Sequence, residues 1–335
     1  MIHRKVVLPS GLAMLLLLAG GCRKQEDPSA IRGAKPRATP VSHAKTKGLV
    51  ALSVLTMDNP FFKVIADHME AELAKHGYGL LAVSGDFDVA KQQNQVKDFI
   101  VKKVSAIVLN PCDSRSIGPA IKEANDAGIP VFTCDIAALT TGVEVICHVA
   151  TDNYQGGRLA AQAMVEALDG KGEVAILDHP EVESVILRTR GFHDELAEQN
   201  QRPDVDVRVV VTLPGGAARE KSFSAAQDLM QSHPEIDGIF AINDPTALGA
   251  VAAYEKAGKL DQVKMIGFDG QPAGKQAIKE GKIYADPIQF PDQIGVKTAQ
   301  AVIRHFEGEK LPPEILIPTA LYRKADAEKD PELKD

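Results

Sequence analysis

Residues 106–135 read AIVLNPCDSRSIGPAIKEANDAGIPVFTCD. An apolar, β-branched run ends at Asn110, a helical stretch follows, and a second apolar run, PVFTC, leads directly into Asp135. Unbroken apolar runs of this length suit strands buried on both faces. A strand, a helix and a second such strand make a βαβ unit with parallel strands. The pattern extends in both directions. Upstream lie LVALSVLT and GLLAVS; downstream lie VICHVA, EVAILD, VRVVVT, GIFAIN, KMIGFD and ADPIQ. Helical segments separate them, among them residues 90–104 and 154–168. Ten strands over this length predict an α/β protein with two Rossmann-like lobes, each built on its own parallel sheet.

The residues that close these strands share a chemistry. AIVLN ends in Asn110, PVFTC is followed by Asp135, GIFAIN ends in Asn243, KMIGFD in Asp269 and ADPIQ in Gln289. The first strand runs into Asp58-Asn59-Pro60-Phe61-Phe62. The carboxyl edge of an open α/β sheet is where ligands bind. Asn and Asp also favour turns and helix N-caps, so Asn110 and Asn243 have that second reading. Five such residues at one edge, drawn from both halves, point to a polar ligand. A carboxylate accepts from adjacent hydroxyls, an amide offers a donor and an acceptor, and an aromatic ring covers C–H faces. Those groups together suit a sugar or polyol. Phe61 and Phe62 would stand at the cleft edge, with core packing as the alternative for Phe62.

The N-terminus has the layout of a secretory signal: Arg4 and Lys5, an apolar run over residues 6–19, then LAGGC ending at Cys22. The apolar run is shorter than the roughly 20 residues a spanning helix needs. LAGGC resembles a bacterial lipobox, which implies cleavage before Cys22 and a lipid on its sulfur. Residues 23–47 carry three prolines and no aromatic residue, and read as a tether that cannot bury enough surface to fold. Cleavage removes Arg4 and Lys5 and takes the formal net charge from −7 to −9. An acidic body argues against nucleic acid as a partner. Beyond Cys22 stand Cys112, Cys134 and Cys147. An odd number allows at most one internal pair, and Cys134 with Cys147 is the pair the strands would permit. Buried free thiols are the default reading.

Enzyme motifs are missing. There is no GxSxG elbow and no HExxH; GQPAGK near Gly270 is one residue short of a phosphate loop. His179, His193 and His233 show no ligand spacing, and the His-Pro pairs at His179 and His233 read as loop starts. A paired-carboxylate hydrolase using Asp135 and Asp269 is the rival reading. No cofactor and no metal are expected.

Taken together, LTMDNPFF, LNPCDS, TCD, ATDNYQGG, LRTRGF, HPEIDGIFAINDPTALGA, MIGFDGQP and PIQFPDQIG resemble the bacterial periplasmic sugar-binding proteins of type I fold, of the ribose-binding kind. The resemblance spans residues 48–326. It implies two lobes joined by a three-segment hinge: residues 48–151 with 290–318, and residues 152–289 with 319–327. Residues 328–335 form a tail, with the stretch from Ala325 expected to fray. It implies that Asn59, Phe61, Phe62, Asn110 and Asp135 serve the first lobe's wall, and Arg188, Asn243, Asp269 and Gln289 the second's. Arg188 has a helix-surface reading as well. The implied function is the binding component of a sugar ABC transporter: a monomer, held at the membrane only through its lipid, that delivers a sugar to an inner-membrane permease. A sugar sensor feeding a chemoreceptor or kinase is the alternative. Three positions depart from the ribose-binding pattern. Leu55 stands for a serine, Ile136 for an arginine and Ala217 for an aromatic ring. They shift the expected ligand from ribose towards a related sugar or polyol.

Overall fold

The structure, a computed structural model, describes residues 46–333; Cys22 and most of the tether lie outside them. The chain begins with β1 (Gly48–Val54), α1 (Pro60–Lys75), β2 (Tyr78–Ser84), α2 (Val89–Lys102), β3 (Ala106–Leu109), α3 (Gly118–Asp126), β4 (Val131–Cys134) and β5 (His148–Thr151). It continues through α4 (Asn153–Ala167), β6 (Lys171–Asp178), α5 (Glu183–Gln199), β7 (Asp206–Pro214), α6 (Arg219–Ser232) and β8 (Gly238–Ala241). Then come α7 (Asp244–Lys256), β9 (Lys264–Ile266), α8 (Pro272–Lys279) and β10 (Ala285–Ile288). It closes with α9 (Pro291–Phe306), β11 (Glu314–Ile317), β12 (Ala320–Arg323) and α10 (Lys324–Ala327).

Two six-stranded sheets result, ordered β11-β5-β4-β3-β1-β2 and β12-β10-β9-β8-β6-β7. The two-lobed α/β expectation holds. All residues of the central strands β3, β4 and β8 are buried, which is why they read as unbroken apolar runs. The edge strand β7 instead alternates between exposed positions and ones that are buried or half-buried. In each sheet the first strand of its lobe pairs with the second on one side and the third on the other, so adjacent loops leave in opposite directions and open a crevice at the carboxyl edge.

The chain passes between the sheets three times: between β5 and α4, between β10 and α9, and between β11 and β12. The three passages are tied to one another. Asp152 N–H donates to the Ile317 carbonyl (2.8 Å), Thr319 Oγ1 to the Ile288 carbonyl (2.6 Å), and Thr319 N–H to Gln155 Oε1 (3.1 Å).

Two expectations change and one is met. β11 and β12 were not among the ten strands anticipated; they are four residues each, and β12 runs antiparallel to β10. The tail does not fray over its described part: Asp330 accepts from Tyr322 Oη (2.8 Å) and Lys275 Nζ (3.1 Å), and Ala327 is fully buried. The default reading of the cysteines is met: Cys134 and Cys147 do not pair, and with Cys112 they are buried free thiols. Their burial pushes the Cys112 thiol up to about 12 and raises the other two.

Candidate functional site

The carboxyl edges of the two sheets close down on a small cavity of about 30 Å³. From the first lobe it is lined by Leu55, Asn59, Phe61, Phe62, Asp135 and Ile136. From the second lobe it is lined by His179, Val182, Ser184, Val185, Arg188, Ala217, Asn243, Asp269 and Gln289.

The first-lobe wall follows from β1 and β4. Asn59 caps α1, its Oδ1 accepting from Phe61 N–H (3.0 Å), with Pro60 in the first turn. That cap aims the helix start at the cavity and sets Phe61 and Phe62 edge to face, ring centres 5.4 Å apart. Asp135 follows β4 with a left-handed backbone, φ 61°. Its Oδ2 accepts from Asn110 Nδ2 (3.2 Å), while its Oδ1 is buried and accepts no hydrogen bond from the protein. Burial raises Asp135 to about 6, against the opposing pull of Arg188.

Asn110 is not part of the lining. It is fully buried, with Oδ1 accepting from Leu55 N–H (3.0 Å) and Nδ2 shared between the Cys134 carbonyl (2.9 Å) and Asp135. Both ends of its amide are spent inside the lobe, so it aims Asp135 from behind.

The second-lobe wall centres on Arg188, which rises from α5 and is 4% exposed. Its Nε donates to Asn153 Oδ1 (2.8 Å), and its Nη1 to the Ile242 carbonyl (2.7 Å) and Asp269 Oδ1 (3.3 Å). The guanidinium lies 3.9 Å from the Phe268 ring centre. Its place depends on a close helix crossing: a Cβ on Gly157 of α4 would lie 2.0 Å from the Arg188 carbonyl oxygen. Asp269, left-handed at φ 107°, also accepts from Gln289 Nε2 (2.6 Å) and Gln271 Nε2 (3.0 Å). Burial raises its pKa, and Arg188 and the two glutamines oppose the rise. Gln289 Oε1 is buried without a partner. Asn243 caps α7, its Oδ1 accepting from Thr246 N–H (2.9 Å), and is among the residues lining the cavity. Behind Asp269, Asp244 and Asp286 are buried together, and burial raises both, Asp286 to about 7.

The lobes meet over the cavity. Ser114 N–H donates to the Glu181 carbonyl (2.9 Å), and Glu183 N–H donates to Ser114 Oγ (2.8 Å). Phe87 of the first lobe sets its ring edge to face against His179, and Lys221 of the second lies over it.

Sequence reasoning missed Asn153, which holds Arg188, and Ser114, which joins the lobes. It also set His179 aside as a loop start, although His179 directly follows β6 and so obeys the strand-end rule that found the others. The departures from the ribose-binding pattern, Leu55, Ile136 and Ala217, all line the cavity, as do Val182 and Val185.

Comparison with known proteins agrees with this architecture. The sequence pattern described as "Periplasmic binding protein domain" matches residues 50–310. The "Ribose import binding protein" of Salmonella typhimurium is 35% identical over 275 residues, covering 82% of this chain and 90% of that protein. Among solved structures, an ABC transporter periplasmic solute binding protein from Actinobacillus succinogenes with bound D-allose is 27% identical. It superposes with a TM-score of 0.76 over 85% of this chain and all of that one. The Caulobacter myo-inositol binding protein with bound myo-inositol is 26% identical, with a TM-score of 0.77 over 90% of this chain and 99% of that one. With a parallel-sheet lobe on each side of a shared cavity and a match along most of its length, this chain belongs to the periplasmic binding protein family.

Proposed function

We propose that this protein is the substrate-binding component of a sugar ABC transporter, capturing a monosaccharide or polyol between its lobes in the periplasm and delivering it to an inner-membrane permease. One observation carries the reading: a single cavity between two sheet edges presents Asp135, Arg188, Asp269 and Gln289, with Asp135 Oδ1 and Gln289 Oε1 unpartnered, beside Phe61 and Phe62. Carboxylate and amide acceptors, guanidinium donors and aromatic faces are the complement of a polyhydroxyl ring. Asn59 and Asn243 add amide ends to the same cavity, and Asn110 supports from behind.

Binding closes the lobes because a sugar spanning the cavity interacts with both walls only in the closed form. The permease then reads the closed surface. The protein acts as a monomer, does no chemistry on the sugar and needs no cofactor. It is tethered through a lipid on Cys22, with the sequence resemblance to a lipobox as support. Ile136 and Ala217 remove a donor fork and a ring from the ribose-binding pattern, so the preferred ligand is a related sugar or polyol with a less polar face on that side.

Calorimetric titration against pentoses, hexoses and polyols tests the reading. The expected result is micromolar or tighter binding of at least one, an affinity of about −8 kcal/mol. Absence of binding across the panel sinks it.

A further inference from the structure

We propose that His179 is a ligand contact that sets specificity in this cavity, its Nε2 accepting a hydrogen bond from one sugar hydroxyl while Glu181 holds the ring's tautomer. The proposal rests on the sugar-capture reading above and adds a residue outside the resemblance's motifs.

His179 lines the cavity and is 9% exposed. Its two nitrogens have different surroundings. Nδ1 lies 2.8 Å from the Glu181 carboxylate, whose side chain is half exposed at the lip. Nε2 is buried and has no hydrogen-bond partner in the protein. In a neutral imidazole one nitrogen donates and the other accepts. The carboxylate can only accept, so the proton sits on Nδ1 and Nε2 presents a lone pair. The charged and titratable neighbours are Glu181, Lys221, Asp178 and Asp113, and burial outweighs them in lowering the His179 pKa. The ring is therefore neutral at neutral pH, and Nε2 is an acceptor.

Burying an imidazole acceptor with nothing to meet it costs free energy. Phe87 cannot supply the donor: its ring stands edge to face against the imidazole at 6.1 Å and carries no polar atom. Of the other lining residues, Leu55, Ile136, Val182, Val185 and Ala217 are apolar, and the Ser184 hydroxyl does not donate to His179 Nε2. A ligand hydroxyl is the donor that fits. His179 thereby supplies one directed polar contact in a cavity that Ile136 and Ala217 leave less polar than the ribose-binding pattern. The ligand class is narrowed to a sugar or polyol with one hydroxyl directed at His179.

The test uses the full chain, His179→Leu and His179→Gln, titrated with D-ribose, D-allose and myo-inositol, and with the monodeoxy analogues of whichever binds. In the wild type one deoxy analogue loses the His179 contact and binds roughly 5-fold to 10-fold more weakly, the effect of one neutral hydrogen bond. In His179→Leu that analogue and its parent bind alike, while the other analogues keep their penalties; His179→Gln restores part of the gap. A histidine that served only packing would weaken parent and analogues by one common factor, leaving every deoxy penalty intact, and that result overturns the proposal. Unchanged affinity in His179→Leu overturns it too. If neither these three nor any other pentose, hexose or polyol of the panel binds the wild type, the sugar-capture reading itself fails and this proposal falls with it.

Discussion

Asp135→Asn should weaken the site and strengthen the fold. Asp135 is a buried carboxylate whose Oδ1 has no partner and whose pKa is raised to about 6. A carboxyl whose folded pKa lies above its unfolded value favours folding while protonated. That contribution is fully present below about pH 4 and is lost as pH rises through about 6. At pH 7 the ionised group therefore costs the free protein on the order of 3 kcal/mol. Asparagine removes the charge, keeps an acceptor for Asn110 Nδ2 and tolerates the left-handed φ of 61°. Arg188 keeps Asp269 at 3.3 Å, so no cation is stranded. Calorimetric melting at pH 7 should show the variant more stable, by roughly 2–4 °C for each kcal/mol recovered. Near pH 4 the two proteins should converge. Sugar affinity should fall, because charge-assisted hydrogen bonds are about twice as strong as neutral ones; one or two hydroxyls on this carboxylate give a loss of roughly 5-fold to 100-fold. A variant that melts no higher at pH 7, or whose advantage persists at pH 4, refutes the burial argument. Equal affinity refutes the site assignment.

Further expectations can be checked in the same assays. Ser114→Ala removes the acceptor for Glu183 N–H between the lobes without touching the cavity, so it should weaken every bound sugar by one common factor of about 5, seen by titration across the panel. Ile136→Arg combined with Ala217→Phe restores the fork and the ring of the ribose-binding pattern and should raise affinity for D-ribose relative to the preferred sugar by at least about 10-fold; an unchanged ratio sinks the reading of those two positions. Gly157→Ala places a methyl 2.0 Å from the Arg188 carbonyl oxygen, so α4 and α5 must part. Melting should show a loss of about 1–3 kcal/mol or more, with weaker binding because Arg188 moves with its helix.

The alternation of apolar runs and helices dictated two parallel α/β lobes, since a strand buried on both faces must be apolar throughout and its period is visible in the chain itself. The strand-end rule likewise reached Asp135, Asn243, Asp269 and Gln289, because where a strand stops decides which residue stands at the sheet edge. The tertiary structure decided which of those residues face one another. Asn110 and Asp135 are chemically similar strand-end residues in adjacent strands, yet one has both amide ends consumed by Leu55, Cys134 and Asp135 and the other keeps a free carboxylate oxygen. No local pattern separates them, because the bonds that do so join residues 24 and more positions apart. The same holds for His179, whose role depends on a carboxylate on one side and a cavity on the other, and for Asn153, which matters through Arg188. Strand β12 and the docked tail escaped for a related reason: four residues, or a single aspartate, are too little to read alone and gain their place only from β10, Tyr322 and Lys275. Local periodicity made the lobes, and long-range hydrogen bonding chose which polar groups are left for a ligand.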